Sequence, residues 1–201
     1  MPRPNYYPPQ YPSYWCPTSC KSDIDECPSH PDLCLLRDAA TDERGAILDY
    51  LTCAINTCGF DTLFLDVAED EMQHFIKIMQ FVTRFDPVQA AELEKENLGF
   101  MVMKPHRAKA KPPSPEAVQP DQDVEVTPPN KNDLPAICCL TKALKDELHA
   151  INKYQRYMNS AQDCQVKDLF CELMNDEKEH VAEFTATLFT LTHEPLPQET
   201  D

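Results

Sequence analysis

The sequence predicts an all-α protein: an antiparallel four-helix bundle of two repeated helical hairpins joined by a long crossover. Apolar residues recur at three- and four-residue spacing in two blocks, residues 36–98 and 136–192, which is the spacing of amphipathic helices. The chain contains only 3 glycines, so few positions favour turns inside these blocks. The two blocks also carry the same motifs in the same order, which indicates an internal repeat.

The helices themselves follow from the apolar spacing and from local start signals. Asp86 followed by Pro87 is a helix start signal, because a side-chain cap and a proline in the first turn both favour initiation. The predicted helices are four long ones at 38–57, 61–84, 136–161 and 165–191, and a short fifth one at 88–98.

Three segments lie outside the helical blocks. Residues 1–35 form a predicted irregular N-terminal arm rich in proline, tyrosine and cysteine. Residues 99–135 are rich in proline and poor in large apolar side chains, so they are predicted to be a crossover linker. Residues 193–201 form a short C-terminal tail.

Composition and charge exclude several classes of function. The chain has 34 acidic and 18 basic residues, a formal net charge of -16, whereas nucleic-acid binding needs a basic face. No stretch approaches about 18 uninterrupted apolar residues, so no transmembrane helix is expected. The N-terminus lacks the apolar run of a secretory signal. A cytoplasmic protein that binds neither nucleic acid nor membrane is therefore expected.

The 10 cysteines do not form a recognisable metal motif, since Cys-x-x-Cys occurs nowhere in the chain. Rubredoxin-like and zinc-ribbon sites are thereby excluded. Four of the cysteines, Cys16, Cys20, Cys27 and Cys34, are expected in the loop-like N-terminal region. The other six lie in or beside predicted helices, where most are expected to act as small buried hydrophobes.

The internal repeat consists of two motifs. The pattern Asp-Glu-x-x-Ala-Ile-x-x-Tyr at 42–50 recurs at 146–154, and Asp-Glu-x-x-His at 70–74 recurs at 176–180. In each hairpin the two motif glutamates are equidistant from the predicted turn, about 20 Å along each helix. The motif residues also interrupt the apolar face of their helices at one height. The predicted metal ligands are Glu43, Glu71, His74, Glu147, Glu177 and His180.

These residue types suit two metal ions held by carboxylates. Glu-x-x-His places both side chains on one helix face, and a glutamate has two oxygens with which to bridge metals. Four unpaired buried carboxylates would destabilise the fold strongly, and cations offset that cost. Carboxylates with one imidazole per metal favour iron, or alternatively manganese. The candidate bridging pairs are Glu71 with Glu147, or Glu43 with Glu177.

Two tyrosines occupy matched positions in the repeat, Tyr50 and Tyr154, each seven residues after a motif glutamate. Either they pack in the core, or their hydroxyls hold a ligand carboxylate or relay an electron, which would give them a catalytic role. His149 lies two residues from Glu147, so we expect it on the surface.

The motifs resemble those of the ferritin-like superfamily, in particular its rubrerythrin and bacterioferritin branches. Asp-Glu-Leu-His-Ala-Ile-Asn-Lys-Tyr at 146–154 is similar to a bacterioferritin helix motif, and 70–74 and 176–180 are similar to the ligand motifs of the second and fourth helices. The resemblance implies a bundle with a long crossover, a di-iron centre, and reaction with dioxygen or hydrogen peroxide.

The sequence departs from both branches. Ala150 stands where rubrerythrins have an additional carboxylate, and there is no rubredoxin domain to supply electrons, so the electron donor is unknown. Met72 stands where bacterioferritins have a haem-binding methionine. The expected function is iron oxidation, or reduction of dioxygen or hydrogen peroxide, in a homo-oligomer or larger assembly. The alternatives are a structural coat-like or cargo protein built on the same bundle, and a di-manganese catalase-like enzyme.

Overall fold

A computed structural model describes residues 28–103 and 133–192, which form five α-helices and one short 3-10 helix. The described residues contain no strand, and the four long helices confirm the predicted all-α bundle. No helix among them is long and apolar enough to cross a membrane. The α-helices are α1 (Asp32–Asn56), α2 (Asp61–Phe85), α3 (Pro87–Lys95), α4 (Leu134–Ser160) and α5 (Cys164–Thr192).

Two short turns make α1 antiparallel to α2 and α4 antiparallel to α5. In the first turn the Thr57 N–H donates to the Cys53 carbonyl at 3.0 Å, and Gly59 adopts a φ of 86°, where glycine carries no steric penalty. In the second, Asp163 Oδ1 accepts from the N–H of Gln165 at 2.8 Å and caps α5. Both turns fall where the repeat predicts them, so the motif glutamates reach matched heights.

The start of α1 differs from the prediction. The helix begins at Asp32, six residues earlier than expected, so the last four residues of the predicted irregular arm (1–35) are helical and Cys34 is an exposed helix residue. The reason is a contact with residues far away in the sequence. The buried Asp32 carboxylate accepts hydrogen bonds from the backbone N–H groups of Gln162 at 2.9 Å and Asp163 at 2.8 Å. This contact ties the first turn of α1 to the α4–α5 turn.

The short helix α3 begins at the predicted signal. Asp86 Oδ1 accepts from the N–H groups of Val88 and Gln89, and Pro87 occupies the first helical position. The helix ends at Lys95 rather than at 98, because Asn97 turns into the left-handed region at a φ of 62°.

The other helix ends agree with prediction to within two residues. Residues 1–27, 104–132 and 193–201 lie outside the described ranges. The N-terminal Cys16, Cys20 and Cys27, most of the crossover and the C-terminal tail fall in these segments.

Two apolar cores fill the bundle, one on each side of the level that the motif residues occupy. The first lies near the α4–α5 turn and the second near the α1–α2 turn. Fully buried members of the first core include Leu36, Ile78, Val166, Phe170 and Leu173, and those of the second include Phe64, Ala68, Leu140 and Phe184.

The expectation that most helical cysteines are small buried hydrophobes is wrong. Cys53 and Cys139 form a disulfide between α1 and α4, whose Cα atoms are 5.8 Å apart there. The remaining four are free: Cys58, Cys138 and Cys164 are exposed, and Cys171 is half-buried.

Asp32→Ala should lower the free energy of unfolding by about 2 kcal/mol, because it removes a buried carboxylate that accepts two partly buried backbone N–H groups of the α4–α5 turn. The check is a shift of the urea midpoint at unchanged m-value. Asp66→Ala, at an exposed position of α2, should leave the midpoint where it is. Equal midpoints for the two variants would contradict the anchoring role of Asp32.

Candidate metal centre

The six predicted ligands converge in the middle of the bundle and are all buried. None is more than 4% exposed. They fall into two groups in which one potential ligand atom from each residue lies within 4.8 Å of the others. The first group is Glu43, Glu71, His74 and Glu177, and the second is Glu71, Glu147, Glu177 and His180.

Glu71 and Glu177 belong to both groups. Glu71 directs Oε2 towards His74 Nδ1 at 3.2 Å and Oε1 towards His180 Nδ1 at 3.4 Å. Glu177 does the reverse, with Oε1 at 3.4 Å from His74 Nδ1 and Oε2 at 3.0 Å from His180 Nδ1. Each shared carboxylate therefore presents one oxygen to each half of the site. The shared pair is therefore Glu71 with Glu177. The sequence had predicted Glu71 with Glu147, or Glu43 with Glu177, as the bridging pair.

Each group draws three residues from one hairpin and one shared glutamate from the other. Neither hairpin alone can complete a four-residue group. The site therefore forms only when the two hairpins dock.

The buried oxygens fit metal ions. Oε1 of Glu71 and Oε1 of Glu177 are buried and accept no hydrogen bond among the described residues, although each lies 3.4 Å from a histidine Nδ1. Buried oxygens without a hydrogen bond are costly in a low-dielectric interior, and a metal cation in contact with them would lower that cost. The donors are six carboxylate or imidazole side chains with no thiolate, a chemistry that iron and manganese accept.

Two aspartates next to the site each contact the histidine of the opposite hairpin. Asp176 Oδ2 lies 3.2 Å from Nε2 of His74, and Asp70 Oδ2 lies 3.6 Å from Nε2 of His180. Each contact joins the histidine of one hairpin to the other hairpin and leaves Nδ1 facing the carboxylates. Sequence reasoning missed both aspartates, although each directly precedes the glutamate of an Asp-Glu-x-x-His motif.

The two tyrosines have different surroundings. The Tyr50 hydroxyl donates to Glu147 Oε1, so Tyr50 contacts a member of the site. Tyr154 packs its ring against Phe170 at a centroid distance of 5.8 Å, in the first apolar core. Within the described residues, Tyr154 has no counterpart to the Tyr50 hydrogen bond.

A cavity of about 370 Å³ lies between α1 and α4 and reaches all four site glutamates. Its walls include three small residues, Gly45, Ala46 and Ala150, which leave space in the cavity. Charged side chains line its outer part. Lys153 pairs there with Asp42, and His149, exposed as predicted, also lines it. The volume corresponds to roughly a dozen water molecules at about 30 Å³ each, enough to admit dioxygen, peroxide or a hydrated ion.

Burial and close carboxylates change the proton affinity of the site when no metal is bound. Burial, followed by the charges of Glu177 and Glu71, raises the pKa of Glu147 to about 10. Burial and the hydrogen bond with Glu71 likewise raise the pKa of Glu43 well above its usual value. Burial would raise the pKa of Glu71, but hydrogen bonds from Glu43 and the two histidines outweigh it and lower that pKa.

The histidines are shifted towards their charged form. Burial opposes the charge on both rings, but surrounding carboxylates outweigh it. Hydrogen bonds with Asp176, Glu177 and Glu71 raise the pKa of His74 to about 12, and those with Glu177 and Glu71 raise the pKa of His180 to about 11. Without metal, the site therefore holds protons that metal binding must displace.

The chain belongs to the ferritin-like family. A family model described as Ferritin-like domain matches residues 34–193, which covers both hairpins and the crossover between them. No curated protein and no solved structure shows a significant match. The match confirms the superfamily that the motifs indicate, while the rubrerythrin or bacterioferritin subtype stays a prediction.

Metal binding should release protons and strengthen as pH rises from about 6 to 9. Glu147, His74 and His180 are protonated across this range when no metal is bound, so a higher pH lowers the cost of removing their protons. Calorimetric Mn²⁺ titrations in buffers of different ionisation enthalpy count the protons. Binding that is independent of pH and buffer would contradict the arrangement.

Asp176→Ala should weaken metal binding about 10- to 100-fold, because His74 loses the acceptor that orients its ring. Asp176→Asn keeps an oxygen acceptor and should recover part of the loss. Asp168→Ala changes an exposed aspartate two turns earlier on α5 and is the matched control. Chelator competition measures all three, and equal affinity of Asp176→Ala and wild type would exclude the orienting role.

Proposed function

We propose that this protein binds two iron ions at the candidate centre and couples them to the reduction of dioxygen or hydrogen peroxide, as a ferroxidase or peroxidase-like oxidoreductase. The observation that carries the proposal is the sharing of Glu71 and Glu177 between two adjacent groups of potential ligands. Paired iron ions would supply electrons to an oxidant that enters the site.

The proposed assignment gives each ion four ligands: one histidine, one glutamate of its own, and the two shared glutamates. His74 and Glu43 would hold one ion, and His180 and Glu147 the other, with the shared glutamates between them. Manganese accepts the same donors, so a di-manganese catalase-like enzyme is the alternative within this chemistry.

The protein's own groups support such a reaction in two ways. Tyr50 holds Glu147 through its hydroxyl and so restricts the position of that carboxylate. The cavity between α1 and α4 leads from the surface to the site, while the apolar cores close the bundle on either side. A small oxidant can thus reach the centre without opening the fold.

The remaining expectations stay predictions. A homo-oligomer and a cytoplasmic location rest on sequence reasoning alone. The alternative of a coat-like or cargo protein depends mainly on the N-terminal arm, of which residues 1–27 lie outside the described ranges.

Purified protein with the Cys53–Cys139 disulfide formed, given Fe(II) without oxygen, should bind about two irons per chain and oxidise them when dioxygen or peroxide is added. The double variant Glu71→Gln with Glu177→Gln should bind far less than one iron per chain, because both shared carboxylates lose their charge. Iron content, ultraviolet absorbance and oxidant consumption measure these outcomes.

The matched control is Glu69→Gln with Glu179→Gln, which changes two exposed glutamates, each two residues from a shared one on the same helix. Circular dichroism verifies that both double variants fold. Iron binding that survives loss of Glu71 and Glu177, or that the control also abolishes, would refute the assignment.

A further inference from the structure

The disulfide between Cys53 and Cys139 lies about two helical turns along α4 from Glu147 of the candidate metal centre. It joins α1 to α4 across 86 residues of sequence and so links the two hairpins directly. Cys53 is 7% exposed and packs in the second apolar core, whereas Cys139 is half-buried at the edge of that core.

Tyr50 and helix α4 lie between the cysteine pair and the site. Cys53 lies one helical turn after Tyr50 on the buried face of α1, and both belong to the second apolar core. The Tyr50 hydroxyl in turn donates a hydrogen bond to Glu147 Oε1. On α4, Cys139 precedes Glu147 by eight residues, a distance of about 12 Å along the helix.

We propose that Cys53 and Cys139 are the two-electron donor of the metal centre, cycling between a dithiol and the disulfide seen here. The inference rests on the proposed function, because it requires an oxidant that is reduced at the site. It would supply an electron donor from within the described residues, and the given sequence contains no rubredoxin-like Cys-x-x-Cys motif.

The overall reaction balances with hydrogen peroxide as the oxidant. Two S–H bonds break and one S–S bond forms, which releases two electrons and two protons. The O–O bond of hydrogen peroxide breaks, and its two oxygens accept the two electrons and two protons to give two water molecules. Two external thiols then restore the dithiol by exchange and leave as their own disulfide.

The fold provides a place for that exchange. Cys139 is only half-buried, and its neighbour Cys138 is exposed at the surface of α4. An external thiolate can therefore approach the disulfide from the Cys139 side without disrupting the apolar core around Cys53.

A purely structural cross-link and an electron donor differ in one measurable respect. A structural disulfide forms no faster with metal than without it, because peroxide either attacks the thiols directly or is consumed by the iron. A donor pair forms its disulfide faster when the centre is loaded. The wild-type chain can therefore test the inference without any substitution.

The full chain is reduced, freed of reductant without oxygen, and divided into metal-free and Fe(II)-loaded samples. Each receives one equivalent of hydrogen peroxide, followed by timed alkylation and peptide mass spectrometry. We expect the Cys53–Cys139 disulfide to form at least tenfold faster in the loaded sample, with one disulfide per peroxide and most iron still Fe(II). Equal rates in the two samples, or Fe(III) accumulation with both thiols intact, would overturn the inference.

Substitutions separate this inference from the proposed function. Cys53→Ser and Cys139→Ser should bind iron normally but accumulate Fe(III) after one equivalent of peroxide. Cys171→Ser, a half-buried free cysteine of α5, should behave like wild type. If wild-type protein binds no iron, the proposed function itself fails. If iron binds and Cys53→Ser retains Fe(II) as wild type does, only the donor role fails.

Discussion

Burial of four carboxylates and two imidazoles at one level of a four-helix bundle is the constraint on which the rest of this structure depends. Taken alone, charges in such a place oppose folding by several kcal/mol each. Two apolar cores, one on each side, hold the helices around them. The fold therefore places its least favourable residues where apolar packing is available above and below, as expected of a site kept for function rather than for stability.

The two repeated hairpins contribute to the site in the same way, and each completes the half that belongs to the other. Each group of potential ligands needs a glutamate from the opposite hairpin, and each histidine contacts an aspartate of the opposite hairpin. Cations bound at the centre would consequently strengthen the contact between hairpins as well as neutralise charge. The disulfide and the Lys142–Asp49 ion pair, at 2.6 Å, join α1 and α4 beside the same site.

Periodicity and spacing suffice to predict the helices, both turns and the six converging residues, because helical rise converts sequence distance from a turn into height. They do not show which glutamates are shared, since height carries no information about how two hairpins rotate against each other. The roles of Asp70 and Asp176 depend on that rotation too. The early start of α1 at Asp32 and the Cys53–Cys139 pairing arise from contacts between segments far apart in sequence.

Anomalous diffraction from crystals of the manganese-loaded protein would test the central claim most directly. The account predicts two metal peaks per chain about 3.5–4 Å apart, with Glu71 and Glu177 each bonded to both ions and one histidine Nδ1 bonded to each. A single peak, or two ions that share neither Glu71 nor Glu177, would contradict it.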